Sequence, residues 1–437
     1  MIRYIHLKNY KSFTDLSFDM TGKNGLTKKI LILYGENGVG KTNLVNVLDT
    51  LYDSFQTLNF RSLLLQFLGN EGKNIDSSML SFSESKMEIA SIIRDNKTVD
   101  SNEDMTIEIG FSIGERLGVY KIEFDDERII RERLEYVFNK NKIVFFDISI
   151  DNRKINPQIV SSSFLSELDG MLYKYWGKHS VIAIFFNAFN EYTVDFVQEA
   201  FSDALFDVLD YFSKFTVFLV KNKIRKGNVE NNTSILRELD EGVVEENRIA
   251  AINHTESLLD AYFRDIYADV KKVYYKKEKM DYKISYRLYF RRMVSGKERD
   301  IRYDEESCGT RNLLALLPYF LASMEGHVVA IDEIDNGIHD ILLKSLINNL
   351  SQNIDGQLIM TTHNTMFLEE YDLKDYVYFI EMDDDGNKEI KSINDFGFRI
   401  QQNSNVIANY LKGRFSRSPW NGTNIDFNRL MEMDKGE

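Results

Sequence analysis

Gly35, Glu36, Asn37, Gly38, Val39, Gly40, Lys41 and Thr42 fit the phosphate-loop pattern G-x-x-x-x-G-K-[ST]. Binding a phosphate needs several backbone N–H groups turned toward one point. Glycines allow this because no Cβ atom obstructs the approach. Lys41 is placed to reach the β- and γ-phosphates of a nucleotide, and Thr42 to offer its hydroxyl to Mg2+. Far downstream, Asp332 and Glu333 end the apolar run Val328–Ile331. That is the pattern of a Walker B strand, in which Asp332 joins the Mg2+ shell and Glu333 orients or deprotonates the attacking water. A second apolar run, Leu358–Thr362, ends in His363. Where strand C-termini face a nucleotide, His363 is placed to sense the γ-phosphate. Ser307, Gly309, Thr310 and Arg311 precede a helical pattern over Asn312–Met324, and a Ser and a Gly at a helix start make a second anion-binding terminus. The phosphate loop already serves the phosphates of its own site. The second terminus therefore makes sense as completing the site of another subunit. No guanine-reading N-K-x-D motif occurs, which favours ATP over GTP.

Regular elements must hold these residues. Ile30–Tyr34 reads as a buried strand, and a helix follows the loop from Lys41 to about Leu58. Ahead of them, alternation over residues 1–20 predicts a β-hairpin. The segment 59–101 is mixed, with a polar Ser- and Asn-rich part that reads as loop. From Met105 to about Ile150 an antiparallel meander is expected, with strands Thr106–Ile113, Val119–Phe124, Ile129–Val137 and Ile143–Ile148. Phe164–Tyr175, Tyr192–Val220 and about Asn247–Val270 carry apolar residues at helical spacing, with a polar, basic break at Lys221–Asn232. The chain thus divides into 1–154, an N-terminal part with the loop and meander; 155–270, a helical insertion; and 271–437, which carries the downstream motifs. Lys271–Arg302 returns to strand character.

Composition bounds the function. The 437 residues are 43% hydrophobic and 28% charged, which is ordinary for a soluble globular chain with ample core. The single cysteine, Cys308, leaves no intramolecular disulfide and suits a reducing cytoplasm. No apolar run approaches the roughly 20 residues of a membrane span, and the first residues lack a signal-peptide layout, so neither a membrane nor a secretory role is expected. The net charge of −14 argues against coating nucleic acid over the whole surface. Locally, Lys276, Lys277, Arg287, Arg291, Arg292, Lys297 and Arg299 interleave with Tyr282, Tyr286 and Tyr289. A nucleic-acid groove and a strand pair with one solvated charged face both fit this stretch, and the solvated face is preferred. Glu381–Gly386 holds four acids, Glu381, Asp383, Asp384 and Asp385, between two strand-like segments. It reads as a hairpin turn in preference to a metal cluster.

The starting stretch I-x-L-K-N-Y-K-S-F, the loop GENGVGKT, the signature SCGTR, the run AIDEIDNGIH and the switch TTHN together resemble the ABC-type ATPases of the RecF, SMC and overcoming-lysogenization-defect (OLD) group. Within that group the S-x-G-T-R signature and the D-E-I-D-N-G-I-H run look most like ATPase subunits of prokaryotic anti-phage systems, such as AriA of PARIS and the RloA and AbiL-type ATPases. The motifs cover about 1–45 and 300–370. The resemblance implies an α/β fold of the ABC type, with a mixed sheet around the P-loop, an antiparallel β subdomain and a helical insertion. It implies that two protomers sandwich ATP head to tail. Lys41 and Thr42 of one would face Ser307 and Gly309 of the other, with the D-loop Asp335 at the seam, in a homodimer or a larger homo-oligomer. Two departures stand out: Cys308 inside the signature, and a Q-loop glutamine that has no assigned position, with Gln56 and Gln66 as weak candidates. Lys412–Phe415 resembles a C-terminal element of the group, and Ser416–Trp420 after it departs from the pattern. OLD-type relatives append a Toprim nuclease, and too few residues follow His363 for one. The expected role is therefore a cytoplasmic ATPase, using ATP and Mg2+, that holds and releases a separate effector such as a nuclease, with a phage-encoded trigger left open. The alternative is a DNA-binding repair ATPase of the RecF or SMC kind, which DNA would stimulate with steep salt dependence.

Overall fold

In a computed structural model of the protein, Ile30–Tyr34 forms a strand whose five residues are all buried. An unbroken apolar run suits a parallel strand covered on both faces. It pairs in parallel with Gln357–Thr361 on one side and Val377–Met382 on the other. The whole sheet has seven strands in the spatial order Ile224–Lys226, Phe215–Leu219, Val328–Ile331, Gln357–Thr361, Ile30–Tyr34, Val377–Met382 and Lys388–Ser392. The five inner strands are parallel, and the two edge strands run antiparallel to their neighbours. The strands preceding the phosphate loop, Glu333 and His363 are thus adjacent, with their C-terminal ends on one edge. The structure describes residues 1–69, 88–219, 224–226, 235–369, 371–396, 406–412, 414–415 and 426–434.

A second seven-stranded sheet is antiparallel throughout, in the order Phe13–Asp19, Ile2–Tyr10, Met105–Ile113, Arg116–Phe124, Ile129–Phe138, Asn141–Ser149 and Arg153–Ile155. Alternation sorts its two faces. Ile129, Leu134 and Tyr136 are buried, whereas Arg131, Arg133 and Glu135 lie on the opposite face and join Asp147 and Lys142 in ion pairs. One inward residue breaks the apolar rule. Glu132 is fully buried and accepts hydrogen bonds from Tyr120 Oη at 2.8 Å and Val181 N at 2.7 Å. Val181 opens the helix Val181–Glu191, so the carboxyl sits at a helix N-terminus, where negative charge is favoured. Burial wins over those hydrogen bonds and pushes its pKa up to about 7. Helix Val181–Glu191 packs on the helix that follows the phosphate loop, Lys41–Gly69. Ser180 Oγ donates to Ser54 O of that helix at 2.9 Å.

The architecture is that of an ABC-type P-loop NTPase: a mixed central sheet, an antiparallel sheet beside it, and helices inserted between them. Several details depart from the expectations. The helix from Lys41 reaches Gly69, past Leu58. Tyr192–Val220 is not helical to its end: after Val194–Ala200 and Asp203–Ser213 come the five buried residues of strand Phe215–Leu219, parallel to Val328–Ile331. The expected insertion therefore contributes a strand to the nucleotide-site sheet. Apart from Ile224–Lys226, the basic break at Lys221–Asn232 lies outside the described residues, as do Ser416–Trp420, most of the Ser- and Asn-rich stretch and the side chain of Gln66. Gln56 lies within the long helix, where its side chain accepts from Asn59 at 2.7 Å.

The tyrosine-rich stretch forms a third sheet. Lys283–Val294 pairs with Val270–Met280 on one side and with Glu241–Glu245 and Lys297–Arg302 on the other. Its cations meet acids: Arg287 with Glu241 at 2.7 Å, Arg291 with Asp300 at 2.8 Å, Arg292 with Glu306 at 2.7 Å and Lys277 with Glu256 at 3.2 Å. The Arg287 and Arg291 pairs lie at the surface, and the Arg292–Glu306 pair is largely buried. Val377–Met382 and Lys388–Ser392 form a hairpin whose turn is held by Asp383, with Oδ1 accepting from Asp385 N at 3.0 Å and Asn387 N at 2.7 Å. The acidic run is a turn, as read.

Candidate nucleotide-binding site

The loop between Tyr34 and Lys41 is shaped by two glycines with positive φ, Gly38 at 87° and Gly40 at 107°. A Cβ on Gly40 would also stand 2.9 Å from the ring of Phe13. That residue starts the second strand of the N-terminal hairpin and so backs the loop. Val39 is buried against Gly35. The helix makes its first internal bond from Leu44 N to Gly40 O at 3.1 Å. The amides before Leu44 therefore lack an acceptor within the helix, as an anion-binding terminus requires. Lys41 is only 8% exposed. Its Nζ donates to Gly35 O at 2.7 Å and Glu36 O at 3.0 Å, which engages two of its three N–H bonds. Burial lowers its pKa, and the nearby Asp332, Glu333, Asp335 and Glu36 act in the opposite direction.

The acids meet the loop from the adjoining strands. Thr42 Oγ1 donates to Asp332 Oδ2 at 2.9 Å, and Thr361 Oγ1 donates to Asp332 Oδ1 at 2.6 Å. Thr361 Oγ1 also accepts from Glu333 N at 2.8 Å. A hydroxyl and a carboxylate brought this close are the hard oxygen donors that Mg2+ takes, so the residues present fit the ion. Glu333 is exposed, with φ of 48°, a left-handed conformation uncommon for a non-glycine residue. Such strain gathers at functional positions. It arises here because the Walker B strand stops at Ile331 and turns at once into the Ile334–His339 loop. His363 N donates to Asp335 Oδ2 at 3.1 Å, while Asp335 Oδ1 is buried with no hydrogen-bond partner among the described residues. Partial burial, then the charge of Lys41, lower the His363 pKa, which favours the neutral imidazole near pH 7.

The structure thus brings together the loop, Lys41, Thr42, Asp332, Glu333, Asp335 and His363. The signature residues are not part of that hydrogen-bonded set; they lie beside the loop that follows Glu333, with Gly309 against Gly337 O. Ser307 caps the helix Cys308–Met324, its Oγ accepting from Thr310 N at 3.2 Å. Ser307, Cys308 and Arg311 are exposed. Thr310 corrects the expectation of a contact residue. It is 1% exposed, with its hydroxyl 2.9 Å from Ser307 Oγ and 3.3 Å from Tyr267 Oη, so it braces the terminus from inside. Thr361 is the site residue that sequence reasoning missed. The pair Thr361-Thr362 ahead of His363 was its signal. Phe13 and Ser12, whose Oγ accepts from Asn43 at 2.7 Å, were missed as supports of the loop.

A family model described as "AAA domain, putative AbiEii toxin, Type IV TA system" matches residues 30–369. No curated protein matches the chain. Among solved structures it is similar to an Smc head bound to the C-winged helix domain of ScpA, at 14% identity over 90% of this chain and 97% of that one, with a TM-score of 0.43. It is also similar to the SMC head domain from Thermotoga maritima, at 12% identity over 90% and 98%, with a TM-score of 0.38. The Smc head domain with an extended coiled coil, bound to the C-terminal domain of ScpA derived from Pyrococcus furiosus, gives 14% identity over 90% and 96% and a TM-score of 0.38. No helix among the described residues is long and apolar enough to cross a membrane.

Proposed function

The chain belongs to the AAA-domain family whose model it matches, and from that premise we propose that it is a regulatory ATPase of an anti-phage system. In this reading it binds and hydrolyses ATP with Mg2+ and uses the cycle to hold and then release a separate effector protein, a nuclease by preference. The observation that carries the catalytic part is the hydrogen-bonded set Thr42–Asp332–Thr361–Glu333 at the C-terminal ends of three adjacent parallel strands.

The residues have separate tasks. The loop amides and Lys41 bind the phosphates, and Thr42 and Asp332 hold Mg2+. When bound, the ion neutralises charge on the β- and γ-phosphate oxygens. Glu333 orients the attacking water or takes its proton. His363, neutral near pH 7, faces the γ-phosphate. Ser307, Gly309 and Arg311 lie at a helix terminus outside this cluster, which supports their acting on the nucleotide of a second protomer, with Asp335 at the seam. A DNA-clamping role has less support, because the basic sheet neutralises much of its charge internally.

The test is to purify tagged Glu333→Gln protein from its native host and determine the composition and mass of the complex. The expected result is a DNA-free homo-oligomer carrying a stoichiometric second protein with nuclease activity. A bare dimer carrying DNA overturns the reading in favour of a repair clamp. Lys41→Ala should lower ATP affinity about 100-fold, measured by calorimetry.

A further inference from the structure

The signature helix and the D-loop touch within one protomer. Gly337, at the tip of the D-loop, has φ of 68°, and a Cβ on Gly309 would fall 2.5 Å from Gly337 O. The approach needs a glycine at 309, where a Cβ would run into that carbonyl, while Gly337 supplies the positive φ of the loop tip. Beside this contact, Asn312 Nδ2, on the second turn of the signature helix, donates to Asn336 O at 2.6 Å. Nδ2 also lies 3.6 Å from Cys308 Sγ, so the amide spans the first turn of the helix and the loop. At its other end the D-loop is fixed to the nucleotide site. Asn336 N bonds Glu333 O at 3.0 Å, Ile338 N bonds Asp335 O at 3.2 Å, and Asp335 Oδ2 accepts from His363 N.

We propose that Asn312 is a positioning residue that ties the signature helix of a protomer to that protomer's own D-loop, so that nucleotide held by the signature sets the geometry of Glu333 and His363. The inference rests on the ATP-sandwich reading above. The first turn of the signature helix would be drawn toward the phosphates of the neighbouring subunit's ATP. Asn312 passes that displacement to Asn336, and Asp335 passes it to His363. Each site is then competent only when its neighbour is filled, and hydrolysis is cooperative in ATP. Asn312 touches no nucleotide in this scheme. Its side-chain donor is the only part required.

Asn312→Asp keeps the shape and removes the donor, placing a carboxylate against the Asn336 carbonyl. Asn312→Ala removes both. ATP affinity, the mass of the ATP-bound assembly, kcat and the Hill coefficient for hydrolysis are measured for both variants, the wild type and Ser307→Arg. The expected result is that both Asn312 variants bind ATP and assemble as the wild type does, while kcat falls about tenfold and the Hill coefficient drops toward roughly 1. A packing role instead predicts that Asn312→Asp behaves as the wild type and only Asn312→Ala is impaired, which overturns the proposal. A wild type that neither assembles with ATP nor responds to Ser307→Arg refutes the sandwich itself, and this inference with it. A wild type that assembles cooperatively, beside an unimpaired Asn312→Asp, refutes the inference alone. If the aspartate variant fails to fold, Asn312→Ser, which keeps a shorter donor, gives the same readout. Full cooperativity in a variant whose hydroxyl is too short to reach Asn336 likewise overturns it.

Discussion

Thr42, Asp332 and Thr361 complete their hydrogen bonds with one another, whereas Ser307 bonds only within its own helix turn and leaves Cys308 and Arg311 to solvent. Both regions follow from the same rule, that a helix N-terminus presents free amides. They differ in what surrounds the terminus. The phosphate loop and its helix bring Lys41 and Thr42 to the ends of parallel strands that deliver Asp332, Glu333 and Thr361. The signature terminus rises from a short 3-10 turn, Tyr303–Glu305, and meets its own D-loop at Gly337. One region is built to hold a ligand within a single chain. The other is finished on its inner side, through Thr310 and Tyr267, and open on its outer side. On the proposed ATP-sandwich reading, the first region is a preformed half of the catalytic apparatus and the second a half that needs a counterpart.

Four perturbations would break or sharpen that contrast. Glu333→Gln should reduce kcat roughly 100- to 10,000-fold while ATP stays bound; unchanged turnover would remove Glu333 from the preformed half. Ser307→Arg should leave the ATP affinity of the isolated chain intact and weaken ATP-dependent dimerisation more than about tenfold, measured by light scattering. Loss of ATP affinity in the isolated chain would instead merge the two regions. The preformed half also rests on Glu132, through the helix that packs on the phosphate-loop helix. Its pKa rises from 4.5 unfolded to about 7 folded, mainly by burial. The folded chain therefore retains a proton that the unfolded chain has released. The stability tied to that proton is full below about pH 4.5 and lost as pH rises through about 7, on the order of 3 kcal/mol in all. Glu132→Gln cannot ionise and keeps an acceptor for Val181 N. Its urea midpoint should gain on the wild type between pH 5 and pH 8, and parallel curves would refute the assignment. Smallest, Thr361→Val should cost about 1–3 kcal/mol by leaving Asp332 Oδ1 and the Glu333 amide unsatisfied. A stability equal to wild type would mean that the preformed cluster is not self-supporting.

The residues proposed to do chemistry were legible because their types and spacing are rare in combination. The phosphate loop, the Asp332-Glu333 pair and the His363 strand end lie together where a parallel sheet requires. The elements that hold them were less legible. Phe215–Leu219 continues an apolar helical run without a Gly or Pro boundary, and a short buried strand has no periodicity of its own to set it apart from a buried helix. Its strand identity comes from the free edge of Val328–Ile331, a partner more than 100 residues away. Thr361 looked like strand interior, and only the tertiary approach of Asp332 gives its hydroxyl a task. Thr310 was the opposite case, a motif residue that the fold turns inward.

Ile30–Tyr34 has neighbours that come late in the chain. Both strands flanking it, Gln357–Thr361 and Val377–Met382, are made only after most of the protein has left the ribosome. The first strand, Ile2–Tyr10, is anchored in the same way: Gln357 accepts from Ile2 N at 2.7 Å and donates to Ile2 O at 2.9 Å and Lys28 O at 3.0 Å. During synthesis the antiparallel meander, whose contacts are local, can close first. The strand that carries the phosphate loop lacks both of its sheet neighbours until residues 357–382 emerge. A chain that ends before Val328 therefore carries the whole phosphate-loop motif without the strands and acids that meet it in the full protein.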